Sequence, residues 1–181
     1  EKIDQMQLQL LGKHNMMNLT AAIAVLSNFE LKPKDLIVGA KKFTGVKRRL
    51  EYLGQFSEID LFDDFAHHPT SIKASIAAVK STLDSSSLYA VVELASNTMK
   101  KGSLKSELKK SFVDVDYAWI LNSGNIQWDI REEFAEIENV AILKTLVDLP
   151  DQVQSKIKPG DSLIIMTNSD SMRIRNVLKK K

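Results

Sequence analysis

The chain has 181 residues, 44% hydrophobic and 27% charged, proportions that exclude wholesale disorder, collagen-like sequence and coiled coil. Its 25 Lys and Arg against 23 Asp and Glu leave a net charge of +2, too little for a general pull towards nucleic acid or an anionic membrane, so any basic site is local. With no cysteine there is no disulfide, thiol catalysis or thiolate zinc site, and no apolar run approaches the roughly 20 residues that span a bilayer.

The start, Glu1-Lys2-Ile3-Asp4, resembles no signal peptide, and the chain reads as cytosolic. It begins without Met, in mid-pattern, which suggests a piece of a longer protein. Leu8 to Leu11 reads as a short strand ended by Gly12. Asn15 to Phe29 follows as a helix, with Met16, Leu19, Ile23 and Leu26 at helical spacing. Pro33 to Lys42 reads as a second helix, because Pro33 suits a first helical position and Leu36, Ile37 and Ala40 share a face. These first 44 residues close no core of their own, so they imply a larger neighbour.

From Arg48 the pattern changes. Leu50 to Leu53 and Phe56 to Phe62 read as a hairpin turning at Gly54-Gln55. Helices at Pro69 (Ile72, Ile76, Val79, Leu83), at Leu104 to Phe112, at Pro150 to Ile157 and at Met172 to Leu178 then alternate with strands at Leu88 to Leu94, Tyr117 to Leu121, Val140 to Leu143 and Ser162 to Thr167. Parallel neighbours need crossovers, so this alternation predicts a Rossmann-like α/β domain: a mostly parallel sheet, helices on both faces, and an N-terminal β-hairpin. Ligands of such sheets sit at the carboxyl ends of strands, here Asp63 to Thr70, Glu93 to Lys101 and Thr167 to Ser171.

Three stretches could carry chemistry. Asp63-Asp64-Phe65-Ala66-His67-His68-Pro69-Thr70 gathers two carboxylates and two of the three histidines between a strand and a helix. Adjacent histidines seldom reach one ion, so a metal is disfavoured. The alternatives are surface polar groups with His68 as a helix cap, or a ligand site in which Asp64 accepts from a hydroxyl such as a ribose. Asn15 and Asn18 lie on one side of a helix start and could read a base edge or act as caps. Strand alternation would send Arg49 and Glu51 to one face, where the carboxylate could fix the guanidinium for phosphate, or the two could form a plain surface pair. No G-x-x-x-x-G-K-[ST] loop, G-x-G-x-x-G fingerprint, nucleophile elbow or H-E-x-x-H motif occurs.

In order and spacing, these stretches resemble the Mur ligase family, ATP-dependent enzymes that join amino acids or peptides to UDP-N-acetylmuramate. Gly12-Lys13-His14-Asn15 with Asn18 is similar to the end of the family's central ATPase domain. Arg49-Leu50-Glu51 is similar to its inter-domain Arg-x-Glu, and Asp63 to Thr70 to its Asp-Asp-Tyr-Ala-His-His-Pro-Thr. The resemblance implies that residues 1–44 are the remnant of that central domain and 45–181 the C-terminal domain. It implies that Asn15 and Asn18 face adenine, Arg49 the ATP phosphates and Asp64 the ribose. His67 and the loop Ser96, Asn97, Thr98 and Lys100 would face an incoming peptide, with Arg49, Asp64 and His67 the catalytic candidates. ATP and Mg2+ are the cofactors implied, with the metal ligands mostly outside this chain.

Ser96-Asn97-Thr98-Met99-Lys100 resembles the branch that attaches L-alanyl-γ-D-glutamyl-meso-diaminopimelate to UDP-N-acetylmuramate in peptidoglycan recycling, and so serves cell-wall biogenesis, cell shape and division. The alternatives are the L-alanine-adding branch and a noncatalytic nucleotide-binding or interaction module. The expected partners are those substrates and the missing N-terminal and central domains, with no nucleic acid and no membrane. Leu94-Ala95 stands where Pro-Arg is usual, and Ser169-Asp170-Ser171 follows Asn168 where a Gly-rich stretch is usual. The first departure leaves open which residue grips a substrate carboxylate.

Overall fold

The structure, a computed structural model, describes residues 10–122 and 124–179. Two helices come first, α1 (Lys13–Leu26) and α2 (Pro33–Lys42). The expected strand at Leu8 lies partly outside the described residues, and Leu10 and Leu11 are not in a strand. Gly12 precedes α1 with φ +88°, and a Cβ there would lie 2.7 Å from that of Ala78, so only glycine lets the chain approach so closely.

Strands β1 (Glu51–Phe56) and β2 (Ile59–Asp64) form the expected antiparallel hairpin, but its turn is not at Gly54-Gln55. The chain reverses at Ser57-Glu58, both in the left-handed region, while Gly54 sits inside β1 where the register shifts. Two left-handed residues match the twist of a two-residue hairpin, and the glycine serves the bulge instead. Next come α3 (Pro69–Lys80), β3 (Leu88–Glu93), α4 (Asn97–Lys101) and α5 (Lys105–Lys109), which tightens into a 3-10 turn. They are followed by β4 (Tyr117–Leu121), α6 (Ile130–Glu133), β5 (Val140–Leu143), α7 (Leu149–Lys156), β6 (Ser162–Met166) and α8 (Ser171–Leu178).

The sheet order is β1-β2-β6-β3-β4-β5, parallel except for β1, so the expected α/β architecture is present. Side-chain alternation divides the core. Ala90, Val92 and Ile164 face Ile72 and Ile76 of α3, whereas Val91, Trp119 and Ile165 face Leu149 of α7 and Ile174 of α8. Each Val, Ile or Leu among them, fully withdrawn from water, contributes about 1.5–3 kcal/mol. Trp119 also donates from Nε1 to Gln152 of α7 at 2.8 Å, which ties that helix to the sheet centre.

Because β6 returns between β2 and β3, the chain leaves β2 and β3 towards one face of the sheet and β6 towards the other. The carboxyl ends of these three strands therefore enclose open crevices, the usual ligand position in such sheets.

Candidate functional site

Two clefts lie at this end of the molecule. The larger, about 1100 Å³, runs between α1, α2 and the start of α3. Its polar residues include His14, Asn15, Asn18, Arg49, Asp64 and His68, with a second carboxylate, Asp35, and the hydroxyls of Thr70, Ser71 and Ser75; the rest is mainly aliphatic. Asn15 and Asn18 of α1 thus meet Arg49 and Asp64, distant from them in sequence, in one cavity. His67 is not among its lining residues.

The loop that presents Arg49 is held by its neighbours rather than by strand alternation. Arg48 and Leu50 have φ of 57° and 52°, a costly conformation for such residues that must be stabilised from outside. The Arg48 carbonyl accepts from Phe65 N–H at 2.8 Å, its own N–H donates to Glu51 Oε2 at 2.8 Å, and its Nη2 donates to the Thr167 carbonyl at 2.6 Å. Arg48 Nε also lies 3.7 Å from Asp63 Oδ1. The pairing of Glu51 with the Arg49 guanidinium expected from alternation is not what forms: the left-handed residues break the alternation, and Glu51 takes the Arg48 main chain. Arg49 instead lies with its guanidinium carbon 5.3 Å from the centre of the Phe65 ring, which leaves its N–H groups for a ligand.

Asp64 ends β2 almost fully buried. Its Oδ1 accepts from Ala66 N–H at 2.6 Å and its Oδ2 from the Ser75 hydroxyl at 3.2 Å. Burial pushes its carboxyl above the ordinary range, against the pull of the Ala66, Ser75 and Leu50 donors. Asp63, wholly buried, accepts from Ser171 at 2.6 Å and lies 3.8 Å from Arg175. His67 Nδ1 is 2.9 Å from the Phe65 carbonyl; an oxygen there can only accept, so this nitrogen carries the proton and Nε2 is left as the free ring position. His68 is the N-cap of α3 and accepts from Thr70 N–H, the structural alternative weighed for it. Asn15 and Asn18 are not N-caps, because Gly12 holds that place. Asn15 donates to the Leu11 carbonyl at 2.8 Å and keeps its amide oxygen free of that bond.

The second cleft, about 540 Å³, opens where β3 and β6 end and is lined by Glu93, Ala95, Lys100, Asp170 and Arg173 among others. Of the loop residues expected to face a peptide, Lys100 reaches it. Ser96 caps α4, and Asn97 and Thr98 are exposed. Glu93 is 1% exposed, accepts from the Thr167 hydroxyl at 2.7 Å, and forms an ion pair with Arg173. Arg173 escaped the sequence reading, which stopped this segment at Ser171. A buried glutamate at a strand end was the signal, since such a charge requires a cationic partner. Among the described residues no three His, Asp or Glu side chains converge as a metal ion would require.

The profile described as "Mur ligase, glutamate ligase domain" matches residues 48–168. The chain belongs to the Mur ligase family. It is 35% identical over 170 residues to the UDP-N-acetylmuramate--L-alanyl-gamma-D-glutamyl-meso-2,6-diaminoheptandioate ligase of Escherichia coli, covering 93% of this chain and 37% of that protein. A UDP-N-acetylmuramate--L-alanine ligase of Acaryochloris marina is 29% identical over 191 residues, covering 96% and 39%. The crystal structure of a murein peptide ligase from Psychrobacter arcticus superposes with a TM-score of 0.71 at 29% identity, over 97% of this chain and 39% of that one. This Mur ligase chain therefore spans under two-fifths of the length of these relatives.

Proposed function

We propose that the chain is the C-terminal part of an ATP-dependent amide-forming ligase. Its parent would join L-Ala-γ-D-Glu-meso-diaminopimelate to UDP-N-acetylmuramate in the cytoplasm, in peptidoglycan recycling. The observation that carries this reading is the cavity that unites Asn15, Asn18, Arg49 and Asp64, two amides, a guanidinium and a carboxylate suited to base, phosphate and ribose. Residues 1–44 close the central ATPase domain and 45–181 form the C-terminal domain. This division is supported by α1 having no buried side chain and by the family match beginning at residue 48.

The reaction has two steps. ATP phosphorylates the muramoyl carboxylate and leaves as ADP; the peptide amine then attacks the acyl phosphate, forming the amide and releasing phosphate. Arg49 neutralises phosphate charge, and Asp64, its lone pairs partly taken by Ala66 and Ser75, accepts a hydroxyl. His67, with Nε2 unprotonated when neutral, and the loop Ser96, Asn97, Thr98 and Lys100 face the incoming peptide. Closure of this domain on the missing part excludes water from the acyl phosphate. The magnesium that the family resemblance implies finds no set of three His, Asp or Glu ligands among the described residues.

The full-length parent should hydrolyse ATP only when UDP-N-acetylmuramate and tripeptide are both present, while this chain alone does not turn over. Activity with L-alanine in place of the tripeptide would assign the alanine-adding branch; ATP binding without hydrolysis would favour a noncatalytic module. In the parent, Arg49→Ala is expected to lower kcat/KM by roughly 100-fold or more while moving stability by less than about 1 kcal/mol, read by coupled ADP release and urea unfolding.

A further inference from the structure

We infer that Arg173 is the residue that grips a substrate carboxylate in the second cleft, and that this cleft takes the head group of an α-amino acid, ammonium beside carboxylate. The inference rests on the ligase reading above and deepens it. Ala95, on the β3 side, has no polar group to offer and leaves room in the crevice. Arg173 enters the same crevice from the β6 side, its side chain 42% exposed.

Its position is set from below. Glu93 is buried and anchored by the Thr167 hydroxyl at 2.7 Å, and the Glu93 carboxylate pairs with one end of the Arg173 guanidinium. A guanidinium has five N–H donors, and one carboxylate cannot occupy them all. Arg173 is 42% exposed and lines the cleft while tethered to Glu93, so a second carboxylate can take its remaining donors without first ordering a free arginine. The other charges complete the complement. Lys100 lines the cleft with no carboxylate partner among the described residues, and Asp170 brings an exposed carboxylate whose Oδ1 accepts the Met172 N–H. Beyond the internal Glu93–Arg173 pair, the cleft therefore offers one cation and one anion together with the outer edge of Arg173. That arrangement suits a zwitterion better than a simple anion, which Asp170 would repel. The tripeptide carries such a head group at the far end of its diaminopimelate.

The test uses the full-length enzyme with two peptides, the tripeptide and the same tripeptide carrying an amide at the distal diaminopimelate carboxylate. In the unmodified enzyme the amide should raise the peptide KM by about 10- to 100-fold, the range of a charge-assisted hydrogen bond, with the KM for ATP unchanged. In Arg173→Met the two peptides should have equal KM values, and Arg173→Lys, which keeps a cation for Glu93, should recover part of the discrimination. If Arg173→Met fails to fold, the Arg173→Lys variant and the two peptides on the unmodified enzyme still decide the matter. Equal KM values for both peptides in the unmodified enzyme, or full discrimination surviving in Arg173→Met or undiminished in Arg173→Lys, would overturn the inference and leave the ligase reading intact. No tripeptide-dependent ATP hydrolysis in the unmodified enzyme would overturn the ligase reading and this inference with it.

Discussion

The two helices at the start of the chain and the sheet that follows are built to opposite rules. In the sheet, helices on both faces cover two separate apolar clusters, and strands β3, β4 and β6 are almost wholly withdrawn from water. In the helical pair, α1 has no buried side chain and α2 has one, Ala40, while Met16, Met17 and Phe29 are each around 60% exposed. The contrast teaches that helical spacing of apolar residues reports a face intended for burial, not the partner that buries it. The sheet satisfies its own pattern; the helical pair requires another surface, as the proposed central domain would supply.

The sharpest way to break this contrast is to empty the sheet. Trp119→Ala should cost about 3–5 kcal/mol in urea unfolding, since it removes a fully buried ring and the bond to Gln152. Next is removal of the helices altogether. A chain of residues 45–181 should unfold in one cooperative transition within about 1 kcal/mol of the longer chain, and a non-cooperative melt would show that the helices belong to the same unit.

A smaller effect separates two carboxylates within the sheet domain. Burial holds Asp64 above its ordinary value of 3.8, so the folded state binds its proton more tightly than the unfolded state. Stability from this group is full below 3.8 and declines as pH rises towards the raised value. Asp116 is the reverse. Burial pushes it up, but the Lys80 ammonium at 2.6 Å and the Leu88 N–H at 2.8 Å outweigh this and bring it below 3.8. Its contribution is present above 3.8 and is lost as pH falls through the lowered value. Unfolding midpoints followed across acid pH should therefore lose opposite slopes in Asp64→Asn and Asp116→Asn. The smallest effect belongs to the helical pair: Met17→Gln on the exposed side of α1 should move stability by no more than about 0.5 kcal/mol.

How far the sequence could be read follows from the physics of each element. Strands β4 and β5 have the bounds expected from their short apolar runs, because a buried parallel strand leaves no room for polar alternation. The hairpin turn was misplaced because Ser57-Glu58 adopts the left-handed conformation without the glycine that advertises it. Helices α4 and α6, five and four residues long, are too short to display a helical period. In the candidate site, the residue types of Asn15, Asn18, Arg49 and Asp64 were legible, and all four line one cavity. The support of Arg49 was not legible, because it depends on Arg48 reaching Thr167 across 119 residues. Arg173 lies in the segment read only as a helix, Met172 to Leu178, just beyond the strand-end stretch that closed at Ser171.

The position of β6 has a consequence for synthesis of the chain. Of the six strands of this sheet it comes last in the sequence, yet it lies between β2 and β3 and bonds to both. Until Met166 has left the ribosome, the earlier strands wait with two unpaired borders, and neither half of the sheet can close over the gap. A chain ending before that point would leave the facing edges of β2 and β3 without the strand that joins them.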